Sequence, residues 1–239
     1  MNWIYLSPHL DDVALSVGGL LWEQSQAGER VSVWTICGGN PPPGNFSPFA
    51  QSLQTRWETG GDSMDVRRKE DIESCRILGA ESVHFNIPDC IYRRSPENGK
   101  HLYDSEEALW IPVHPDEEAL ADQISAEMAA KIPEGARVVC PLTLGNHVDH
   151  RLTRMAAKKL GIPLWFYADY PYVLDEENLK ALEKHRSILF PISSQALQAW
   201  QRAIAAHRSQ ISTFWSNLDE MRAAIQKYCQ LMKGTKLFK

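Results

Sequence analysis

The chain has 239 residues, 44% of them apolar and 23% charged, an ordinary globular balance that can bury a core without disulfide staples and leaves room for one large domain or two small ones. Its formal net charge of −5 argues against a nucleic-acid binder that draws its affinity from phosphate contacts. Five cysteines without a CxxC pair argue against a disulfide framework, and no apolar run approaches the roughly 20 residues of a membrane span, so a cytoplasmic setting without membrane insertion is expected.

In chain order, "WIYLS" (3–7) reads as a buried strand that stops at Ser7-Pro8. His9, Asp11 and Asp12 follow, and residues 12–27 read as a helix closed by Gly28. "VSVWTIC" (31–37) is the next strand, and a long Gly/Pro-rich loop spans 38–64. Residues 65–78 read as a helix with Ile72, Cys75 and Leu78 at three-residue spacing, ending at Gly79. After "VHFNI" (83–87) comes a second long loop, 88–115. Loops of this length are usually functional or disordered, and whether either acts as a lid stays open. In 116–132, Leu120, Ile124, Met128 and Ile132 fall on one helical stripe, with Asp116 as N-cap. "RVVCPL" (137–142) is a strand, 149–160 a helix ending at Gly161, and "PLWFYA" (163–168) and "SILFPI" (187–192) are further strands. Residues 194–212 and 217–232 read as two C-terminal helices, the first with Leu197, Trp200, Ile204 and Ile211 on its apolar face. The alternation predicts a Rossmann-like, three-layer α/β/α fold with a mostly parallel sheet and C-terminal helices.

Ligands of open α/β sheets bind beyond the carboxyl ends of the strands. His9, Asp11 and Asp12 lie just past the first strand, and His147, Asp149 and His150 just past the fourth. Loops after parallel strands emerge on one edge, so the two clusters can meet. Zinc accepts imidazole nitrogen and carboxylate oxygen, and a catalytic zinc keeps three protein ligands and an open position. His9, Asp12 and one histidine of the second cluster suit that set, with a leftover carboxylate as general base beside water made acidic by the ion. Against this, Asp11 or Asp12 taken singly reads equally well as a first-turn carboxylate of the helix. His84, His101, His114, His185 and His207 read as surface or core residues.

At these residues the sequence resembles the PIG-L/LmbE-like family of zinc-dependent N-deacetylases. Its two motifs appear as Pro8-His9-Leu10-Asp11-Asp12 and His147-Val148-Asp149-His150. "VRRKEDIESCRILGA" (66–80), "NIPD" (86–89), "YADYPY" (167–172) and "HRSQ" (207–210) add weaker similarity. The resemblance implies one deacetylase domain over 1–239 and one zinc per chain, with iron as the other metal. It implies His9, Asp12 and His150 as ligands and Asp11 as general base. His147 would stabilise an oxyanion or protonate the departing amine, with Asp149 holding its ring, and Asp89 would lie near the substrate. Leu10, Val13 and Val148 depart from the family pattern and leave the loop shape open.

Arg93 and Arg94 follow Asp89, and an arginine there suits a substrate carboxylate or phosphate; the competing reading is a solvated loop pair. Trp57, Tyr92, Tyr170 and Tyr172 are candidates for stacking on a sugar or for plain packing. The expected reaction removes an acetyl or other short acyl group from the nitrogen of an amino sugar or glycoside, such as an N-acetylglucosamine derivative. The partner is then a small N-acylated glycoside, and a homo-oligomer is left open. The alternatives are a metal-dependent hydratase of an unsaturated acid and a non-catalytic Rossmann-like binding domain. Against the latter, neither GxGxxG nor GxxxxGK[ST] occurs; Gly18-Gly19 reads instead as a site of close helix–sheet packing.

Overall fold

Five segments form parallel strands: β1 (Asn2–Ser7), β2 (Arg30–Thr35), β3 (Glu81–His84), β4 (Arg137–Pro141) and β5 (Leu164–Tyr167). The structure is a computed structural model that describes residues 1–56 and 63–239. Trp57 and part of the 38–64 loop lie outside the described residues. The sheet has seven strands in the order β3-β2-β1-β4-β5-β7-β6. β6 is Ser187–Phe190, and β7 (Thr235–Phe238) runs antiparallel to both β5 and β6. The expected mostly parallel α/β sheet with flanking helices is therefore the fold.

Alternation along β1 explains the layers. Ile4 and Leu6 face a cluster completed by Ile124 and Met128 of α4 (Glu118–Ala129) and Leu152 and Ala156 of α5 (Val148–Lys159). Trp3 and Tyr5 face the opposite cluster, with Val13, Val17 and Leu21 of α1 (Asp12–Gln26) and Cys75 and Leu78 of α3 (Ser63–Leu78). A strand covered on both faces has no polar side to show, which is why its sequence is a continuous apolar run. β1 pairs with β2 on one side and β4 on the other. The chain turns outward in opposite directions from β1 and β4, so the loops after these two strands part and leave a crevice between them.

Several elements differ from the sequence reading. The 38–64 loop contains α2 (Pro48–Arg56), and α6 (Glu176–Leu182) precedes β6. The helix expected over 194–212 is two helices, α7 (Ser194–Ala206) and α8 (Arg208–Phe214), because His207 has a non-helical ψ of 60°. Asp116 is no N-cap: it sits in a 3-10 turn, Pro115–Glu117, where the His114 ring accepts the Asp116 N–H. Ile72 points outward, 50% exposed, while Cys75 and Leu78 are buried. β7 follows α9 (Leu218–Met232) through Lys233 and Gly234, both at positive φ. A Cβ at Gly234 would lie 2.4 Å from the Phe190 carbonyl oxygen, so only glycine lets the chain turn beside β6.

Gly18 and Gly19 do not serve helix–sheet packing. A Cβ at either would stand 2.6 or 2.8 Å from the Trp200 indole of α7, so the pair admits a helix–helix contact. Trp200 is fully buried and its Nε1–H donates to the Ala14 carbonyl at 2.6 Å. Gly18→Ala is therefore expected to destabilise the protein by about 1–3 kcal/mol, the usual cost of overpacking. The shift in the denaturant midpoint measures it, and an unchanged midpoint would show that α7 gives way freely.

Candidate active site

The two polar motifs occupy the crevice. Beyond β1, the Pro8 carbonyl still accepts the Cys37 N–H at 2.9 Å before the chain turns. The Val13 N–H donates to Ser7 Oγ at 3.3 Å and holds the tight turn into α1. Asp11 stands at the N-cap of α1 without making a side-chain cap, and Asp12 bends back to accept the His9 N–H at 2.7 Å. Neither carboxylate is spent on capping the helix. Beyond β4, Thr143 and Asn146 adopt positive φ (62° and 60°) and turn the chain into α5. His147 caps that helix, its Nδ1 accepting the Asp149 N–H at 3.2 Å.

The motifs converge. Asp12 Oδ2 lies 3.2 Å from His9 Nδ1, and Asp12 Oδ1 lies 3.4 Å from His150 Nε2. The His9 ring centroid is 5.7 Å from that of His150 and 5.0 Å from that of His147. The remaining nitrogen of each of the first two rings meets a buried carboxylate: His9 Nε2 meets Asp149 at 3.0 Å, and His150 Nδ1 meets Asp169 at 2.6 Å. Asp89 comes within 3.7 Å of His9 Nε2, while its other oxygen accepts the Ile91 N–H. Asp11 lies 3.8 Å from the Arg67 guanidinium of α3, both groups buried.

Two expectations are corrected here. Arg93 does not line the cavity. It is buried, forms ion pairs with Asp149 and Glu117, and donates to the Pro88 carbonyl, so it organises the site from behind and has no free donor face toward a substrate. Asp149 does not hold the His147 ring with its carboxylate. That carboxylate takes His9, the Cys90 N–H and Arg93; only its backbone N–H reaches His147. Of the aromatic candidates, Tyr92 and Tyr170 are buried, and Tyr172 lines the cavity with its ring 6.0 Å from His150.

Arg67, Asp169 and Trp110 were not singled out from the sequence. Asp169 lies just beyond β5, so the rule that located the two motifs also points to it. Arg67 carried a weak signal as part of the quoted helix, and Trp110 carried none.

Burial opposes charge throughout the cluster; the neighbours outweigh it at four groups and not at Asp11 or His147. Burial would lower the His9 and His150 pKa values. The surrounding carboxylates outweigh it: Asp12, Asp149 and Asp89 push His9 well above its ordinary range, and Asp12 with Asp169 raises His150 to about 9. Burial would raise Asp12 and Asp149, yet the histidines and, for Asp149, Arg93 hold both well below the usual carboxylate range. For Asp11 burial wins over Arg67, and its pKa is pushed up to about 6. His147 is lowered to about 3, by burial first and by the charge on His9 next, so its ring is neutral.

This field favours a cation. Among the described residues three groups have donor atoms within 4.8 Å of one another: His9/His147/His150, Cys90/His147/Asp149 and His9/Asp89/Asp149. Asp12 belongs to none of these groups, but its carboxylate stands between His9 and His150, whose other ring nitrogens are held by Asp149 and Asp169. Carboxylate–imidazole pairs of that kind orient metal ligands. Asp169→Asn is accordingly expected to weaken metal affinity about 10–100-fold, read from a chelator-competition titration. Undiminished affinity would show that Asp169 does not position His150. The cavity above the cluster measures about 200 Å³ and is walled by Asp89, Arg67, Tyr172 and Trp110.

A layered parallel sheet with imidazoles and carboxylates gathered at its switch point defines the class: an α/β protein with a candidate metal centre. The chain belongs to the family described as PIG-L: GlcNAc-PI de-N-acetylase, which matches residues 4–160. A 2'-N-acetylparomamine deacetylase of Niallia circulans is 30% identical over 217 residues, covering 82% of this chain and 78% of that protein. The zinc-inhibited form of teicoplanin deacetylase Orf2 superposes with a TM-score of 0.84 at 25% identity, over 100% of this chain and 97% of the other. The A40926 pseudoaglycone deacetylase Dbv21 gives 0.73 at 26% identity, over 99% and 96%. The chain is thus an amide hydrolase of the deacetylase type. No helix among its described residues is long and apolar enough to cross a membrane.

Proposed function

We propose that the protein removes an acetyl or other short acyl group from the nitrogen of an amino-sugar glycoside, with one zinc or iron ion held by His9, Asp12 and His150 and with Asp11 as general base. The observation that carries this reading is the Asp12 carboxylate, 3.2 Å from one imidazole and 3.4 Å from the other, beside an Asp11 that binds neither. An ion held there supplies Lewis acidity to a carbonyl oxygen and lowers the pKa of water toward neutrality.

The chain's own groups do the rest. Asp11, ionised near neutrality and steadied by Arg67, takes a proton from the attacking water and returns it to the departing nitrogen. Proton transfer of this kind contributes about 10²–10⁴-fold. His147 has its Nδ1 occupied as an acceptor, so the proton of its neutral ring sits on Nε2, where it can donate to the developing oxyanion. Such donors are worth ~3–4 kcal/mol. Asp149 fixes His9, Asp169 fixes His150, and Asp89, whose second oxygen lies 3.7 Å from His9 Nε2, is assigned to accept from a sugar hydroxyl.

The functional unit proposed is the whole chain, 1–239, since β7 near its end fills the sheet between β5 and β6. A cytoplasmic setting is proposed from its cysteines, of which Cys37, Cys75, Cys90 and Cys140 are buried free thiols. The test is metal analysis coupled to an acetate-release screen over N-acetylated amino sugars and their glycosides. Stoichiometric metal with acetate released from a glycoside is the expected result. Cleavage confined to peptides, or hydration of an unsaturated acid without acetate release, would overturn the reading.

A further inference from the structure

One wall of the cavity comes from the C-terminal part of the chain and takes no part in the steps above. α8, set off from α7 by the break at His207, contributes Gln210, Thr213 and Phe214 to it. At spacings of three and four residues these side chains share one face of the helix. Gln210 is 6% exposed although it lines the cavity, so its amide is held rather than solvated. Thr213 Oγ1 is enclosed in protein and Phe214 carries no polar side-chain atom, so the Gln210 amide is the polar side-chain group this face can offer a ligand.

The orientation of that amide is set from behind. Both Glu70 oxygens accept from Ser209: Oε1 takes its N–H at 3.0 Å and Oε2 its hydroxyl at 2.6 Å. A carboxylate only accepts, so the single hydroxyl proton of Ser209 is spent on Glu70. Ser209 Oγ can then only accept, and Gln210 Nε2 donates to it at 3.0 Å. The nitrogen end of the amide therefore faces Ser209, and the oxygen faces away from it. No hydrogen bond to Gln210 Oε1 occurs among the described residues and the atom is not enclosed, so it opens on the cavity. Glu70 follows Arg67 by three residues on α3, so the helix that steadies Asp11 also sets the polarity of this wall. A neutral acceptor fixed in this way matches a ligand hydroxyl, and a ligand lacking that hydroxyl leaves it unpaired.

We propose that Gln210 Oε1 accepts a hydrogen bond from one ring hydroxyl of the acetylated sugar, and that Glu70 and Ser209 are positioning residues that keep the amide turned with its acceptor toward the cavity. The inference rests on the deacetylase reading and adds a specificity determinant to it.

The test uses the metal-loaded protein with N-acetylglucosamine and its 3-, 4- and 6-deoxy and deoxyfluoro analogues. Acetate release gives kcat and KM, and calorimetry gives Kd. With the wild type, one deoxy analogue is expected to lose about three- to tenfold in KM and Kd, the scale of one neutral hydrogen bond. Its deoxyfluoro counterpart should do no better, because fluorine cannot donate. Gln210→Met, close in size, should cost the parent sugar the same factor and that deoxy analogue nothing. Glu70→Gln supplies the readout that a merely structural role would not move. Its new amide nitrogen can donate to Ser209 Oγ, which frees the Ser209 proton for Gln210 Oε1 and turns the Gln210 Nε2–H toward the cavity. The deoxyfluoro analogue should then bind better than the deoxy one. Thermal midpoints establish that the variants are folded; should Gln210→Met fail to fold, the ratio in Glu70→Gln decides alone. An equal loss on the parent and every deoxy analogue in Gln210→Met, an unaltered deoxyfluoro-to-deoxy ratio in Glu70→Gln, or no binding of any probe would each overturn the proposal. The expected pattern in Kd without acetate release would instead overturn the deacetylase reading and support the role of Gln210.

Discussion

Asp11→Asn is expected to lower kcat by about 10²–10⁴-fold while the purified protein still holds one metal ion per chain. Asparagine keeps the size of the side chain and leaves Asp12, His9 and His150 in place, so the donor set survives. It cannot take a proton from water. It also removes the negative charge 3.8 Å from the Arg67 guanidinium, a buried change between the start of α1 and α3 that an isosteric amide accommodates. Metal analysis and steady-state acetate release on one preparation measure both halves. Near-normal turnover would move the base elsewhere, and lost metal would make Asp11 a ligand.

His150→Ala has the larger effect: the metal is lost and activity falls to background. The substitution leaves two donors, His9 and Asp12, and strips the buried Asp169 of its 2.6 Å partner. An unpartnered buried carboxylate costs stability as well. The thermal midpoint of metal-free wild type and variant therefore has to be compared before the metal loss is assigned to the ligand. His147→Gln is the companion measurement. It should keep its metal and lose oxyanion stabilisation, because His147 Nδ1 is occupied by the α5 backbone and its ring is neutral. Metal loss in His147→Gln with retention in His150→Ala would transfer the site to another donor group that includes His147.

The sequence by itself determined the central strands β1 and β4, because both are covered on two faces and must be continuous apolar runs. It also located the two motifs, because polar, chemistry-bearing residues directly after such runs can only sit at the sheet's carboxyl edge. Their convergence follows from parallel topology, and the structure brings the rings of His9 and His150 to 5.7 Å.

What only the tertiary structure decided are the partners. Arg93 reads as a loop residue facing substrate until Glu117, from the segment leading into α4, and Asp149, from α5, close around it. Asp149 serves His9 rather than its neighbour His147, and Asp169 and Arg67 reach the site from β5 and α3. β7 is a short segment containing a lysine; pairing with β5 and β6 makes it a strand. Periodicity records which face of an element is buried. It carries no record of which distant element covers that face, and at this site the distant elements supply the charges that set each group's protonation.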